Sequence, residues 1–230
     1  PVEYLFRHNK SIVNQREIGT DTLSYGNALV SAMREAPDVL MIGEIRSRDT
    51  LQQALIFAQA GHLCLSTLHA NNSYHALNRI VNFFSHDARN AVLADLSLCL
   101  RAVISQRLVR NIQGKQVPAV EILLNTTLIS DLIKNDEIEK IREAIDKSVS
   151  PGSQTFEQAL YHLYKNGEIT KEEAMLHSDS PSNFSSLVDF SQTSKMKAYN
   201  PNVSPAAPQP LQTAADFGNI TLNIDVANSK

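Results

Sequence analysis

The chain has 230 residues, with 21 Lys and Arg against 24 Asp and Glu and a net charge of −3. That balance gives no bulk pull toward nucleic acid or an anionic membrane, so no nucleic-acid partner is expected. A hydrophobic share of 43% suffices for one large domain or two modest ones, and no apolar run approaches the roughly 20 residues that would span a bilayer.

In chain order, residues 2–6 and 11–16 read as two short strands around a polar turn. A helix follows. Ser24 can cap it, Ala28, Leu29, Ala32 and Met33 form an apolar stripe at helical spacing, and Pro37 stops it. Val39–Ile42 is a continuous apolar run, the pattern of a strand buried on both faces of a parallel sheet. The next helix carries Leu51, Ala54, Leu55 and Ala58, with Gly61 at its C′ position. A strand over 63–68 comes next, then helices over about 73–84 and 87–102. Residues 104–109 and 117–124 flank an Asn-Ile-Gln-Gly turn and read as a hairpin. Cys64 and Cys99 lie in apolar patterned segments and are expected to be buried thiols rather than a disulfide.

The strand and helix alternation up to about residue 125 implies an α/β core with a parallel sheet. Residues 126–184 read as short helices, a separate helical subdomain. From 185 to 230 the composition turns to Ser, Pro, Asn, Ala and Gln, and disorder is expected. The apolar alternation TLNIDV at 221–226 is a candidate docking strand within that tail.

Ligands of parallel α/β sheets bind beyond the carboxyl ends of the strands. Glu44 and His69 both fall just past such ends. A carboxylate there can hold a metal-bound water or polarise an attacking one, as nucleotide hydrolysis requires. A solvated Glu44–Arg46 pair and a structural histidine would leave the same trace. His62 and His69 are not spaced for one metal site, and His62 with Cys64 supplies only two ligands of a zinc set.

Taken together, DVLMIGEIR at 38–46 and GHLCLSTLHANN at 61–72 resemble the Walker B and histidine boxes of the secretion ATPases of type IV pili and type II/IV secretion systems. PVEYLF at 1–6 resembles the end of their aspartate box, and NQREIGTDT and REAPD match further segments. SLCLRAVISQRLV at 97–109 is closest to the pilus-retraction branch, the PilT/PilU type, with the PilU side favoured. The resemblance covers roughly residues 1–183.

It implies the C-terminal part of a RecA-like parallel-sheet ATPase core, followed by a small helical subdomain and a disordered tail. It implies ATP and Mg2+ as ligands, with Glu44 as the catalytic and metal-contacting carboxylate. Glu3 would be a second acidic residue and His69 the phosphate-sensing histidine. Arg16, Arg46 and His62 would lie near the nucleotide. The partners implied are five further copies in a homo-hexamer, a paralogous pilus ATPase and an inner-membrane pilus platform protein, at the cytoplasmic face of the inner membrane. The function implied is ATP-driven pilus retraction in twitching motility. The alternative is a non-catalytic interaction or regulatory module of such a motor.

Three departures stand out. The family reads G-E-x-R-D where this chain has Ser47 in place of the aspartate. The AIRNLIRE segment of the PilT branch is here TLISDLIKND. No G-x-x-x-x-G-K-[ST] occurs; Gly114-Lys115-Gln116 lacks its spacing and hydroxyl. In the family that phosphate loop precedes the aspartate box, so the chain is expected to be the C-terminal part of a longer protein.

Overall fold

The Ser24 hydroxyl accepts the Asn27 amide at 3.2 Å and starts helix α1, Tyr25–Met33. The chain then reverses through Ala36, whose φ of 47° is left-handed, into Pro37. Strand β1, Val39–Ile42, follows. The Ser47 hydroxyl accepts the Thr50 amide and caps the crossover helix α2, Arg48–Gln59. Gly61, at φ 96°, turns the chain out of α2 into strand β2, Leu63–Ser66. The two strands pair in parallel, with Val39 opposite Leu63 and Ile42 opposite Ser66.

Helices α3, Ser73–Asn82, and α4, His86–Cys99, come next. Strands β3, Ala102–Arg110, and β4, Gln116–Leu124, form an antiparallel hairpin. Asn111 shapes its turn by accepting the amides of Gln113 and Lys115 on its side-chain oxygen. Helices α5, Thr127–Lys134, and α6, Ile141–Lys147, are joined by a short 3-10 turn, Ile138–Lys140. Helices α7, Phe156–Lys165, α8, Lys171–His177, and α9, Pro181–Ala198, complete the order. The computed structural model describes residues 2–147 and 152–198, with side chains to residue 190. Residues Pro1–Phe190 form one unit; of the second, Ser191–Lys230, only the end of α9 is described.

Two apolar cores hold the first unit. The larger gathers Ile42 and Ile45, Leu51 and Leu55 of α2, Leu77 of α3, Leu93 of α4, and then Leu123, Ile133 and Ile141. The helices after residue 126 thus divide between cores, with α5 and α6 sharing that of the parallel strands. The smaller core gathers Val109 and Ala119 of the hairpin with Phe156, Leu160, Ala174, Phe184 and Val188. The hairpin therefore feeds side chains into both.

The α/β class with a parallel sheet and crossover helix agrees with the sequence. Several details do not. Residues 2–16 form no strand. Gln15 takes the place of a ladder there, accepting the Phe6 amide and donating to the Tyr4 carbonyl. Tyr4, Leu5, Phe6 and Ile12 stay exposed, so no apolar face is buried to hold two strands together. Strand β1 is not buried on both faces: Leu40 and Ile42 enter the core, while Val39 and Met41 are 51% and 63% exposed. Cys64 and Cys99 are free but only partly buried. The expected disorder from 185 is corrected for 185–190, which lie in α9, because Phe184 and Val188 anchor that helix in the smaller core. Residues 199–230, TLNIDV included, lie outside the described residues.

Candidate active site

The site is built where β1 and β2 end. The ladder continues past the last paired residues: the Ile45 amide donates to the Thr67 carbonyl at 3.1 Å. The Thr67 hydroxyl donates to the Gly43 carbonyl. These two bonds fasten the strand exits side by side, and Glu44 and His69 leave from the fastened ends.

Glu44 is largely covered, its side chain 15% exposed. Its Oε2 accepts from Arg46 Nε at 2.5 Å, and its Oε1 lies 3.1 Å from His69 Nε2. Arg46 and His69 are 74% and 78% exposed. Ion pairs with so exposed a partner contribute about 0–1 kcal/mol. They aim the carboxylate without anchoring the fold.

Ser47, the departure from the family pattern, has a clear place. It is the N-cap of α2, a position that Ser and Asp fill about equally well. Arg46 is held by Glu44, so the missing aspartate does not leave it loose.

The other sequence candidates lie elsewhere. Arg16 pairs with Glu35, which also accepts from Asn14 at 3.0 Å. That joins NQREIGTDT to REAPD ahead of β1, at the end of the strand remote from Glu44. Glu3 is exposed in the N-terminal segment, and among the described residues no bond links it to Glu44 or His69. His62 precedes β2 and stacks on Phe57 with ring centroids 4.5 Å apart. Its amide donates to the Phe57 carbonyl, which makes it the closing residue of the α2 turn. Among the described residues no three His, Cys, Asp or Glu side chains gather as a metal site.

Sequence reasoning missed Glu121. This buried β4 carboxylate accepts the Ser73 amide at 2.7 Å and so fixes the start of α3, just beyond the histidine segment. A glutamate inside the apolar run of β4 was the available signal. Asn72 caps the same helix by accepting the His75 amide at 2.9 Å.

A strand-end carboxylate paired with a histidine from the adjacent parallel strand, over this order of elements, defines the class. The family model for type II/IV secretion system proteins matches residues 1–167, and the chain belongs to that family. Within it the likeness runs to the PilT/PilU branch. The chain is 48% identical over 195 residues to the type IV pilus ATPase PilU of Pseudomonas aeruginosa, covering 84% of this chain and 51% of that protein. It is 38% identical over 184 residues to the retraction ATPase PilT of the same organism, covering 80% and 54%. Among solved structures, the pilus retraction motor PilT with bound ADP superposes with a TM-score of 0.72 at 43% identity, covering 80% of this chain and 52% of that one. The chain thus spans about half the length of the curated relatives it matches.

Proposed function

We propose that this chain is the Walker B and histidine-box half of a hexameric pilus-motor ATPase, coupling ATP hydrolysis to type IV pilus retraction in twitching motility. One observation carries the reading: the Glu44 carboxylate, at a parallel-strand exit, is held between Arg46 and His69. The identity to PilU supports it.

Phosphoryl transfer asks the protein mainly for positioning and charge compensation. In this reading Glu44 orients and polarises the attacking water. His69 and Arg46, both exposed enough to move, turn from the carboxylate toward phosphate oxygens when nucleotide arrives. Arg16 and Glu3 act at the periphery or toward a neighbouring subunit, and His62 holds the turn into β2. Glu44 is the residue that would hold a Mg2+ ion beside the ATP substrate, and the ion would supply neutralisation of the phosphate charge. The motor would work in a ring of identical subunits with a paralogous ATPase and a platform protein, at the cytoplasmic face of the inner membrane.

The test is a chimera in which this chain replaces the matching half of P. aeruginosa PilU. Magnesium-dependent ATP turnover in the chimera supports the reading. A chimera that assembles and binds nucleotide without turnover favours the interaction-module alternative.

A further inference from the structure

The segment carrying His69 is fastened at both ends. Upstream, Thr67 is bonded to Gly43 and Ile45, beside Glu44. Downstream, two groups from distant parts of the chain take hold of it. Arg107 of β3 donates through Nη2 to the Asn71 carbonyl at 3.1 Å and to Asp179 Oδ1 at 2.5 Å, and through Nη1 to the His177 carbonyl at 2.7 Å. Its guanidinium lies 3.9 Å from the centroid of the Phe156 ring. Asp179 in turn accepts from the Asn72 side chain at 3.0 Å on Oδ2. One guanidinium therefore ties the residues just after His69 to the α8–α9 junction.

The junction is itself fixed. Glu157 of α7, 3% exposed, accepts from the Ser178 hydroxyl at 3.1 Å, the Ser180 amide at 2.8 Å and Arg142 at 2.8 Å. The contacts run from Glu157 of α7, through the junction and Arg107, to Asn71, two residues along the chain from His69. The Arg107–Asp179 pair also walls an open cleft of about 370 Å³ between the histidine segment and α8, so water reaches its outer side.

We infer that Arg107 is a positioning residue for the site: with Asp179 it holds the histidine segment so that His69 meets Glu44, and it makes the α8–α9 junction a control point for that contact. The role rests on the reading of His69 given above. The guanidinium is suited to it because its planar fork reaches three acceptors at once while stacked on a ring. A lysine would bring the charge without the fork.

The experiment uses the 230-residue chain and no nucleotide, so it is independent of the ATPase chimera. The variants are Arg107→Lys and Asp179→Asn, the second guarding against a folding failure of the first. The readouts are amide exchange along the chain and the imidazole resonance of His69, assigned with His69→Gln. Loss of a charge-assisted hydrogen bond should speed exchange at residues 69–72 by roughly ten-fold or more. It should also move the His69 ring resonance, while exchange in β1 stays as in the parent. Unchanged exchange at 69–72 with an unmoved resonance overturns the inference. So does faster exchange spread evenly over β1 and the hairpin with the resonance unmoved, since Arg107 would then be a general staple. If His69 responds as expected but the chimera does not turn over ATP, the proposed function fails and the positioning stands.

Discussion

His69 Nε2 lies 3.1 Å from Glu44 Oε1, although each residue leaves a different strand. The contact exists because the strands are parallel and paired in register, so their carboxyl ends emerge together. The Thr67 hydroxyl on the Gly43 carbonyl then keeps those ends from splaying.

Glu44→Gln in the PilU chimera should keep nucleotide binding and abolish turnover. The swap preserves shape and removes the charge that polarises water. Loss of a general base lowers rates by about 10²–10⁴. Measuring kcat beside ATP affinity checks it; turnover within a few-fold of the unmutated chimera would make Glu44 an orienting residue only.

The isolated chain should release no phosphate from ATP above a blank. Glu44 can aim a water, but nothing in the sequence forms the backbone cradle and lysine of a phosphate loop. A phosphate assay with and without magnesium settles it, and steady magnesium-dependent release would contradict it.

Phe184→Ala should destabilise the smaller core by about 3–5 kcal/mol, the usual range for a buried Phe truncated to Ala. Phe184 is 0% exposed and packs edge-on against Tyr164. Urea unfolding reads the loss. Truncation after Asn183 should be at least as damaging, since it also removes Val188, whereas truncation after Ala198 should leave the midpoint unchanged.

Cys64 should alkylate more slowly than a free cysteine at pH 8. Burial raises its pKa, so less thiolate is present at a given pH. Cys99 is raised too, by burial first and then by Asp95, with Arg101 opposing. The rate at Cys64 should climb as pH rises toward its elevated pKa and should jump on unfolding. Mass-resolved iodoacetamide labelling across a pH series measures both effects.

Much of the frame was legible because short-range chemistry dictates it. The apolar run of β1, the stripe of α2 and a glycine after the helix are local signals. Glu44 and His69 could be placed because strand ends can be read once the strands are. The failures are tertiary. Residues 2–16 carry strand-like alternation, but a ladder needs a partner that no local pattern supplies. In α9, Phe184 and Val188 are spaced i, i+4, yet the Ser- and Asn-rich surroundings mask the stripe. Arg107 and Asp179 lie 72 residues apart. Their meeting depends on both cores being formed, so no motif announces it.

The outward side of the two-stranded sheet has a practical consequence. Val39 sits beside Leu63 and Met41 beside Leu65, and all four are about half exposed or more. An exposed apolar face of this kind is a template for self-association. The chain should therefore be limited by colloidal behaviour before folding stability: it should bind hydrophobic dyes while native and precipitate as concentration rises. Charged substitutions at Val39 and Met41 should make it easier to handle without disturbing the inward-facing Leu40 and Ile42.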